Sequence, residues 1–279
     1  MTENIIIVNS CDAYEDVWEL FFRAFQDHWI DCKYKIILNT QEKQKEIVGM
    51  NIGIHNYISL NGSDNWGLRL KETLKACDSK YVLMLYDDFI LEGRVNQKKI
   101  NTCMEWLDEN PDVVVFYFTN NSANKNVSNN RFEGFELIPH KGDYKLNSAP
   151  SIWRREKLIK LIQDNDNPWA WELFGSYRTY SIPDSFYCAK QGHEDIYPYN
   201  DSMGGAIYRG KWVGQVVIPL IKKYNLQIDV NKRGLADDFG AKNKRSLKWK
   251  IEFIVLGFNM IGWGVFLYVY RILKRKIGA

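Results

Sequence analysis

Cysteine is scarce in this chain and is never spaced for a metal. The five residues (Cys11, Cys32, Cys77, Cys103 and Cys188) are scattered through 279 positions with no Cys-x-x-Cys pair, which argues against a zinc site and, being odd in number, against a disulfide framework. A secretory leader is not expected either. The opening Met-Thr-Glu-Asn-Ile-Ile-Ile-Val-Asn enters a strand-like run at once and leaves no room for a basic n-region and an apolar h-region, so export is not expected and reduced thiols in the cytoplasm are. Residues 9–16, after that first run, contain no Gly, Lys or Arg. A sugar nucleotidyltransferase needs a Gly-rich basic loop there to cradle a triphosphate, and that reading falls behind. No internal repeat or long low-complexity stretch is present.

Negative charge is missing from the C-terminal end. After residue 240 a single acid, Glu252, stands against nine Lys and Arg, a net of +8, while residues 1–240 hold 28 basic and 33 acidic residues, and the whole chain carries +3. An acidic body excludes nonspecific nucleic-acid binding as a leading function, whereas a basic, apolar tail suits the anionic cytoplasmic face of a membrane. Residues 253–270 carry no formal charge over 18 positions, flanked by Lys242, Lys244, Arg245, Lys248 and Lys250 before and Arg271, Lys274, Arg275 and Lys276 after. Eighteen residues is the lower edge of a bilayer span. Cations on both flanks, with Asn259, Gly257, Gly262 and Gly264 inside, weaken a span. The expectation is a helix or helical hairpin lying in the cytoplasmic leaflet, with burial against the body as the alternative. The chain thus divides into a catalytic body, 1–240, and a membrane-associating tail, 241–279.

What is present in the body is alternation. Apolar runs at 5–9, 35–38, 81–86 and 113–118 predict strands, and apolar spacing at 17–29, 68–76 and 97–107 predicts helices, so the expected fold is α/β with a mostly parallel sheet covered on both faces. Residues 120–130, rich in Asn and Ser, predict a loop. Helices are expected at 154–162 and 169–180, the second with Asn167 as cap and Pro168 at its first position.

The run 81–89 ends in two adjacent acids, Asp87 and Asp88. The carboxyl end of a strand in an open α/β sheet is where ligands bind, and neighbouring carboxylates repel unless a cation sits beside them. Mg²⁺ and Mn²⁺ take one or two protein carboxylates and complete their shells with water and substrate phosphate. A surface turn capped by either Asp is the plainer reading of the pair by itself. Other polar or aromatic groups punctuate the chain at Ser10-Cys11-Asp12 with Trp18, at Trp66 with Arg69-Leu70, at Ile152-Trp153-Arg154-Arg155, at Trp169-Ala170-Trp171-Glu172, and from Gly205 to Trp212.

In this order these segments resemble the bacterial GT-A-fold glycosyltransferases of surface polysaccharide (capsule, O-antigen, lipooligosaccharide) biosynthesis, over about residues 5–235. The resemblance implies a Rossmann-like GT-A body and roles for single residues. Ser10 and Asp12 would meet the base and ribose, Arg69 would support the nucleotide, Asp87 would approach the ribose, and Asp88 would hold Mn²⁺ or Mg²⁺ on the diphosphate. Glu172 would deprotonate the acceptor hydroxyl in an inverting transfer. Trp153, Trp169 and Trp171 would serve as donor- or acceptor-sugar platforms, although packing is the plainer role for tryptophan. Arg209, Lys211 and Arg233 would clamp the diphosphate. The implied donor is a nucleoside-diphosphate sugar, a UDP-sugar first, and the implied acceptor a growing lipid-linked glycan at the cytoplasmic face of the membrane. The chain departs from the family's Asp-x-Asp pattern by placing Tyr86 where an acid is usual. A noncatalytic membrane-associated scaffold is the third class, for which the acids would be incidental.

Overall fold

The apolar runs of the body become strands of one mixed sheet in the computed structural model, which describes residues 4–47, 50, 52, 53, 65–236 and 246–277. The strands are β1 (Ile5–Asn9), β2 (Lys35–Asn39), β3 (Ile52–Gly53), β4 (Tyr81–Tyr86), β5 (Val113–Tyr117), β6 (Phe135–Leu137), β7 (Ser151–Arg154) and β8 (Ser185–Ala189). They form an eight-stranded sheet in the order β3-β2-β1-β4-β7-β5-β8-β6. Pairs β1–β2, β1–β4, β2–β3 and β5–β8 are parallel, while β7 lies antiparallel between β4 and β5, and β6 antiparallel beside β8.

Strand periodicity divides the core between the two faces of the sheet. Ile6 and Val8 of β1 with Leu83 and Leu85 of β4 enter one cluster, and Ile5 and Ile7 with Val82 and Met84 enter the other. On the first face lies helix α1 (Glu15–His28), which buries Val17, Trp18, Leu20, Phe21, Phe22, Ala24 and Phe25, the stripe that its apolar spacing predicts. Each large ring fully buried there contributes roughly 1.5–3 kcal/mol of transfer free energy. Helix α3 (Gln97–Glu109), capped by the Asn96 side chain, joins that face through Ile100, Cys103 and Leu107. On the opposite face are α2 (Trp66–Ala76) and α4 (Arg155–Leu161).

Two expectations change. The predicted helix at 154–162 is preceded by strand β7, whose last residue, Arg154, and the first residue of the helix, Arg155, bond main-chain carbonyls of neighbouring elements. Buried Arg154 donates to the carbonyls of Val113 at 3.2 Å and Asn110 at 3.1 Å, and Arg155 to those of Ser79 at 2.6 Å and Leu74 at 2.9 Å. The predicted helix at 169–180 is a broken one. It begins at Pro168 with the Asn167 side chain accepting from the Ala170 amide, widens into a π-helical turn at Trp171–Gly175, and closes in a 3₁₀ turn at Thr179–Ser181.

Beyond α5 (Gly214–Lys223) the described tail is a pair of helices, α6 (Leu247–Ile261) and α7 (Gly264–Ile277), hinged at Gly262. Among the described residues no helix is long and apolar enough to cross a membrane. The pair has two faces. Phe253, Met260 and Val265 share a buried cluster with Ala170 and Phe174 of the body, while Leu247, Ile251, Val255 and Phe258 of α6 and Phe266, Tyr270 and Leu273 of α7 are exposed, as is Trp263 between them. Lys242, Lys244 and Arg245 lie outside the described residues.

Candidate active site

The sheet order reverses direction between β1 and β4, the switch point at which an open α/β sheet leaves a crevice beyond its strand ends. Buried asparagines tie those ends together. The Asn39 amide donates to Asn9 Oδ1 at 3.0 Å, and the Thr73 hydroxyl donates to Asn39 Oδ1 at 3.3 Å. The two acids follow β4 in a turn closed by Phe89 N–H on the Tyr86 carbonyl at 3.1 Å.

Asp87 is 3 % exposed. Its carboxylate accepts from the Ser10 hydroxyl and from Trp18 Nε1 at 3.2 Å, and the Trp18 indole also donates to Ser10 Oγ at 2.6 Å. Burial and the neighbouring Asp88 raise its pKa, against the pull of those donors. Asp88 has no such donors from other side chains among the hydrogen bonds described. Burial pushes its pKa from the usual 3.8 to about 7, and the charge of Glu172 adds to the rise. The main chain at Asp88 is fixed from the far side, where its carbonyl accepts from the Ala206 amide at 2.7 Å. Gly205 makes that approach possible, because a Cβ there would stand 2.8 Å from the Asp88 oxygen and the residue's φ is +96°.

Glu172 lies across from the acids on the π-helical turn. Its Oε1 accepts from the Ser148 amide at 2.7 Å, and burial raises its pKa despite that bond. The hydroxyls of Tyr86 and Ser148 are enclosed nearby with no hydrogen bond of ordinary geometry. Burial first, and then the charges of Glu172 and Asp88, raise the pKa of Tyr86. Tyr86, where the resemblance implied an acid, therefore brings a neutral hydroxyl under the influence of both carboxylates. Tyr14 stands on the other side, its pKa pushed up to about 12 by burial and Asp88.

The structure brings Ser10, Arg69, Asp87, Asp88, Arg233 and Glu172 to one region and sorts the other expected residues differently. Arg69 donates from Nη2 to the Ser10 carbonyl at 3.1 Å and so supports the loop rather than projecting from it. The Asp12 carboxylate accepts from the amides of Gln41, Glu42 and Lys43, each at 3.2 Å, and so folds the loop after β2. Trp153 and Trp171 are corrections. Both rings are fully buried, in contact with each other, and offer no face to a sugar, with their indoles donating to Ser151 Oγ and to the Leu161 carbonyl. Trp169 is 43 % exposed but packs on Trp249 and Phe253 of the tail. Arg233 pairs with Asp16, donates to the carbonyls of Ala13 and Gly210, and lies 4.4 Å from the Tyr14 ring centre. Arg209, at φ +52°, lies over Tyr208, and Lys211 is exposed. Sequence reasoning gave no role to Tyr14, Trp18, Tyr86 or Ser148; Tyr86 could have been found, because it occupies the odd position of the acidic motif.

Among the described residues no group of three or more His, Cys, Asp or Glu side chains is placed to enclose a metal. One weakly bonded carboxylate backed by a second is instead a donor set that suits a hard cation shared with phosphate oxygens. A cavity of about 490 Å³ lies elsewhere, between residues 163–166 with Lys71 and the Leu256, Asn259 and Met260 face of α6. Its one cation, Lys71, is paired with Asp164 at 2.8 Å.

No family model and no curated protein matches the sequence. Among solved structures the chain is similar to a fragment of TarS from S. aureus covering residues 1–349, at 11 % identity, 91 % of this chain, 78 % of that one and a TM-score of 0.48. It is similar to an active-site mutant of LgtC at 11 % identity, 65 % of this chain, 66 % of that one and a TM-score of 0.37. It is also similar to CMP:2-keto-3-deoxy-manno-octonic acid synthetase complexed with CTP, at 13 % identity, 67 % of this chain, 89 % of that one and a TM-score of 0.40. Against the longer TarS chain it spans half of the length, at a TM-score of 0.43.

Proposed function

We propose that the protein is a nucleotide-sugar-dependent glycosyltransferase of the inverting type, with a UDP-sugar as donor and a growing lipid-linked glycan as acceptor. The observation that carries this reading is the Asp87 and Asp88 pair at the switch point, Asp87 buried and Asp88 half-buried, with a third, half-buried acid, Glu172, on a separate element. Asp88, with Asp87 behind it, would hold Mn²⁺ or Mg²⁺ against the donor diphosphate; when bound, that ion offsets charge on the departing nucleoside diphosphate. Asp87, held by Ser10 and Trp18, keeps the floor of the nucleotide crevice fixed. Glu172, in its carboxylate form, takes the proton from the acceptor hydroxyl. The freed oxygen bonds to the anomeric carbon as the bond from that carbon to the diphosphate breaks, and the nucleoside diphosphate leaves with the electron pair. Burial favours this base, because a raised pKa brings its proton affinity nearer to the working pH.

The acceptor class rests on the tail. Helix α6, at 15 residues, spans about 22 Å against roughly 30 Å of hydrocarbon, too short to cross. Its exposed apolar side chains recur at Leu247, Ile251, Val255 and Phe258, the spacing of one helix face, with Lys248, Lys250 and Lys274 in the same pair of helices. That combination fits a hairpin lying in an anionic interface at the cytoplasmic face, where a lipid-linked acceptor is presented. The test is protection from heat by a panel of nucleotide sugars, with and without Mn²⁺, followed by hydrolysis of any that protect. Mn²⁺-dependent protection by a nucleotide sugar supports the reading, and protection by none of them overturns it.

A further inference from the structure

The element that carries Glu172 is clamped from two sides. Inward, Trp171 packs against Trp66 at 5.6 Å and Trp153 at 6.0 Å between ring centres, so one flank of Glu172 belongs to the sheet core. Outward, the other flank belongs to the C-terminal hairpin. Phe174 meets Phe253 of α6 at 4.7 Å and Tyr268 of α7 at 5.2 Å, and Trp169 meets Phe253 at 4.9 Å and Trp249 at 5.3 Å. The fit leaves no slack, since a Cβ on Gly257 would stand 2.6 Å from Cε1 and Cζ of Phe174. Arg271 of α7 also donates to the Lys141 carbonyl at 2.8 Å and pairs with Asp143 at 3.2 Å, and it bonds the hydroxyl of Tyr180 at the end of the same broken helix.

Between these flanks the backbone takes a π-helical turn. Such turns are rare, are less favourable than an α-helical register and need outside contacts to hold them. Released from the hairpin, residues 171–175 can retighten, and any retightening rotates Glu172 away from the Ser148 amide that now fixes its carboxylate. A misplacement of about 1 Å in a catalytic group can cost on the order of 10²-fold in rate. The donor side has no such dependence. Ser10, Asp87 and Trp18 are held by β1, β4 and α1, none of which shares the cluster formed by the hairpin.

We propose that the inner face of the C-terminal hairpin, through Phe253 and Gly257 acting on Phe174, is a positioning device for Glu172, so that one element faces lipid outward and sets the proton-accepting side of the site inward. This rests on the reading of Glu172 as the base. Phe253, Gly257 and Phe174 are positioning residues, remote from substrate.

The experiment uses the full chain carrying Phe174→Ala, Gly257→Val or Phe253→Ala, with Phe253→Leu as the conservative variant. Two readouts are taken: affinity for UDP in the presence of Mn²⁺ with the rate of donor hydrolysis, and amide hydrogen exchange of residues 171–176 and Ser148. Expected are a UDP affinity within about 2-fold of the parent, turnover lowered by about 10-fold or more, recovery in Phe253→Leu, and faster exchange confined to residues 171–176 and the Ser148 amide. Unchanged turnover, or a parallel loss of UDP affinity and turnover, overturns the proposal. Should the parent itself fail to bind UDP or to hydrolyse any donor, the glycosyltransferase reading fails instead. The exchange measurement still decides the packing claim, because unchanged exchange at residues 171–176 in all three disruptive variants contradicts it.

Discussion

The two halves of the candidate site are held in different ways. On the donor side the acids sit at the end of a central strand, with Ser10 and Trp18 on Asp87 and a main-chain bond from Ala206 on Asp88. On the acceptor side Glu172 rides a broken helix whose support is aromatic packing, half from the sheet core and half from a hairpin at the end of the chain. Hydrogen bonds to a sheet fix a group locally and directionally, whereas ring packing fixes it only as long as the packed element stays in place. Under the proposed roles, the nucleotide side is held rigidly while the proton-accepting side answers to whatever holds the hairpin.

The comparison breaks most sharply at Asp88. Asp88→Asn removes a charged ligand at nearly constant volume, and metal-dependent donor turnover is expected to fall on the order of 10³-fold, the several kcal/mol that such an ion supplies. The same variant has an opposite effect on the metal-free fold. Asp88 titrates near 7 in the folded chain against the ordinary 3.8, so the folded state takes up a proton as pH falls through that interval and gains stability from this group on acidification. Above pH 7 the buried charge opposes folding, and Asn relieves it. Thermal unfolding without metal at pH 8 should therefore show a higher midpoint for Asp88→Asn than for the parent, with the gap narrowing as pH falls below 7 and closing only below the ordinary 3.8. A lower midpoint at pH 8 contradicts the burial assigned to this carboxylate.

Glu172→Gln is expected to lower turnover by roughly 10²-fold, the scale of a lost general base. In the parent, turnover should decline on acidification with a midpoint above the ordinary 4.5 of a glutamate, since burial raises this pKa and only the deprotonated form accepts a proton. A pH profile flat through that region sinks the assignment.

On the hairpin, Lys248→Gln together with Lys250→Gln removes two cations near the surface, worth about 1 kcal/mol each, so partition onto anionic vesicles at low salt should fall roughly 30-fold and the difference should shrink at high salt. Salt-independent binding would mean that the contact is not electrostatic. The smallest effect is expected at Ser10→Ala, which removes the hydroxyl that bonds Asp87 and receives Trp18. About 1 kcal/mol of stability should be lost in denaturant unfolding, with no change in vesicle binding.

Much of the donor side was legible because it is built from local signals. An apolar run ending in two acids marks β4 and its turn, and the stripe from Val17 to Phe25 marks α1. The acceptor side was only half legible. Asn167 and Pro168 announced a helix start correctly, but nothing local in Trp-Glu-Leu-Phe-Gly encodes a π-helical turn. Phe174 within that turn packs on residues 79 and 94 positions later, Phe253 and Tyr268, which no local signal announces. β7 was hidden by its four-residue length and antiparallel insertion between β4 and β5. Trp153 and Trp171 illustrate the remaining ambiguity, since the same residue type serves as a sugar platform or a core ring and only burial decides.

The central claim is that donor binding and proton acceptance are separate tasks of two separately held carboxylates. Calorimetric titration of UDP with Mn²⁺ into the parent, Asp88→Asn and Glu172→Gln tests it most directly. The account predicts that Mn²⁺-dependent affinity is lost in Asp88→Asn and retained within about 2-fold in Glu172→Gln, whose turnover nevertheless falls by roughly 10². Equal loss of affinity in both variants, or Mn²⁺-dependent binding that survives Asp88→Asn, would contradict it.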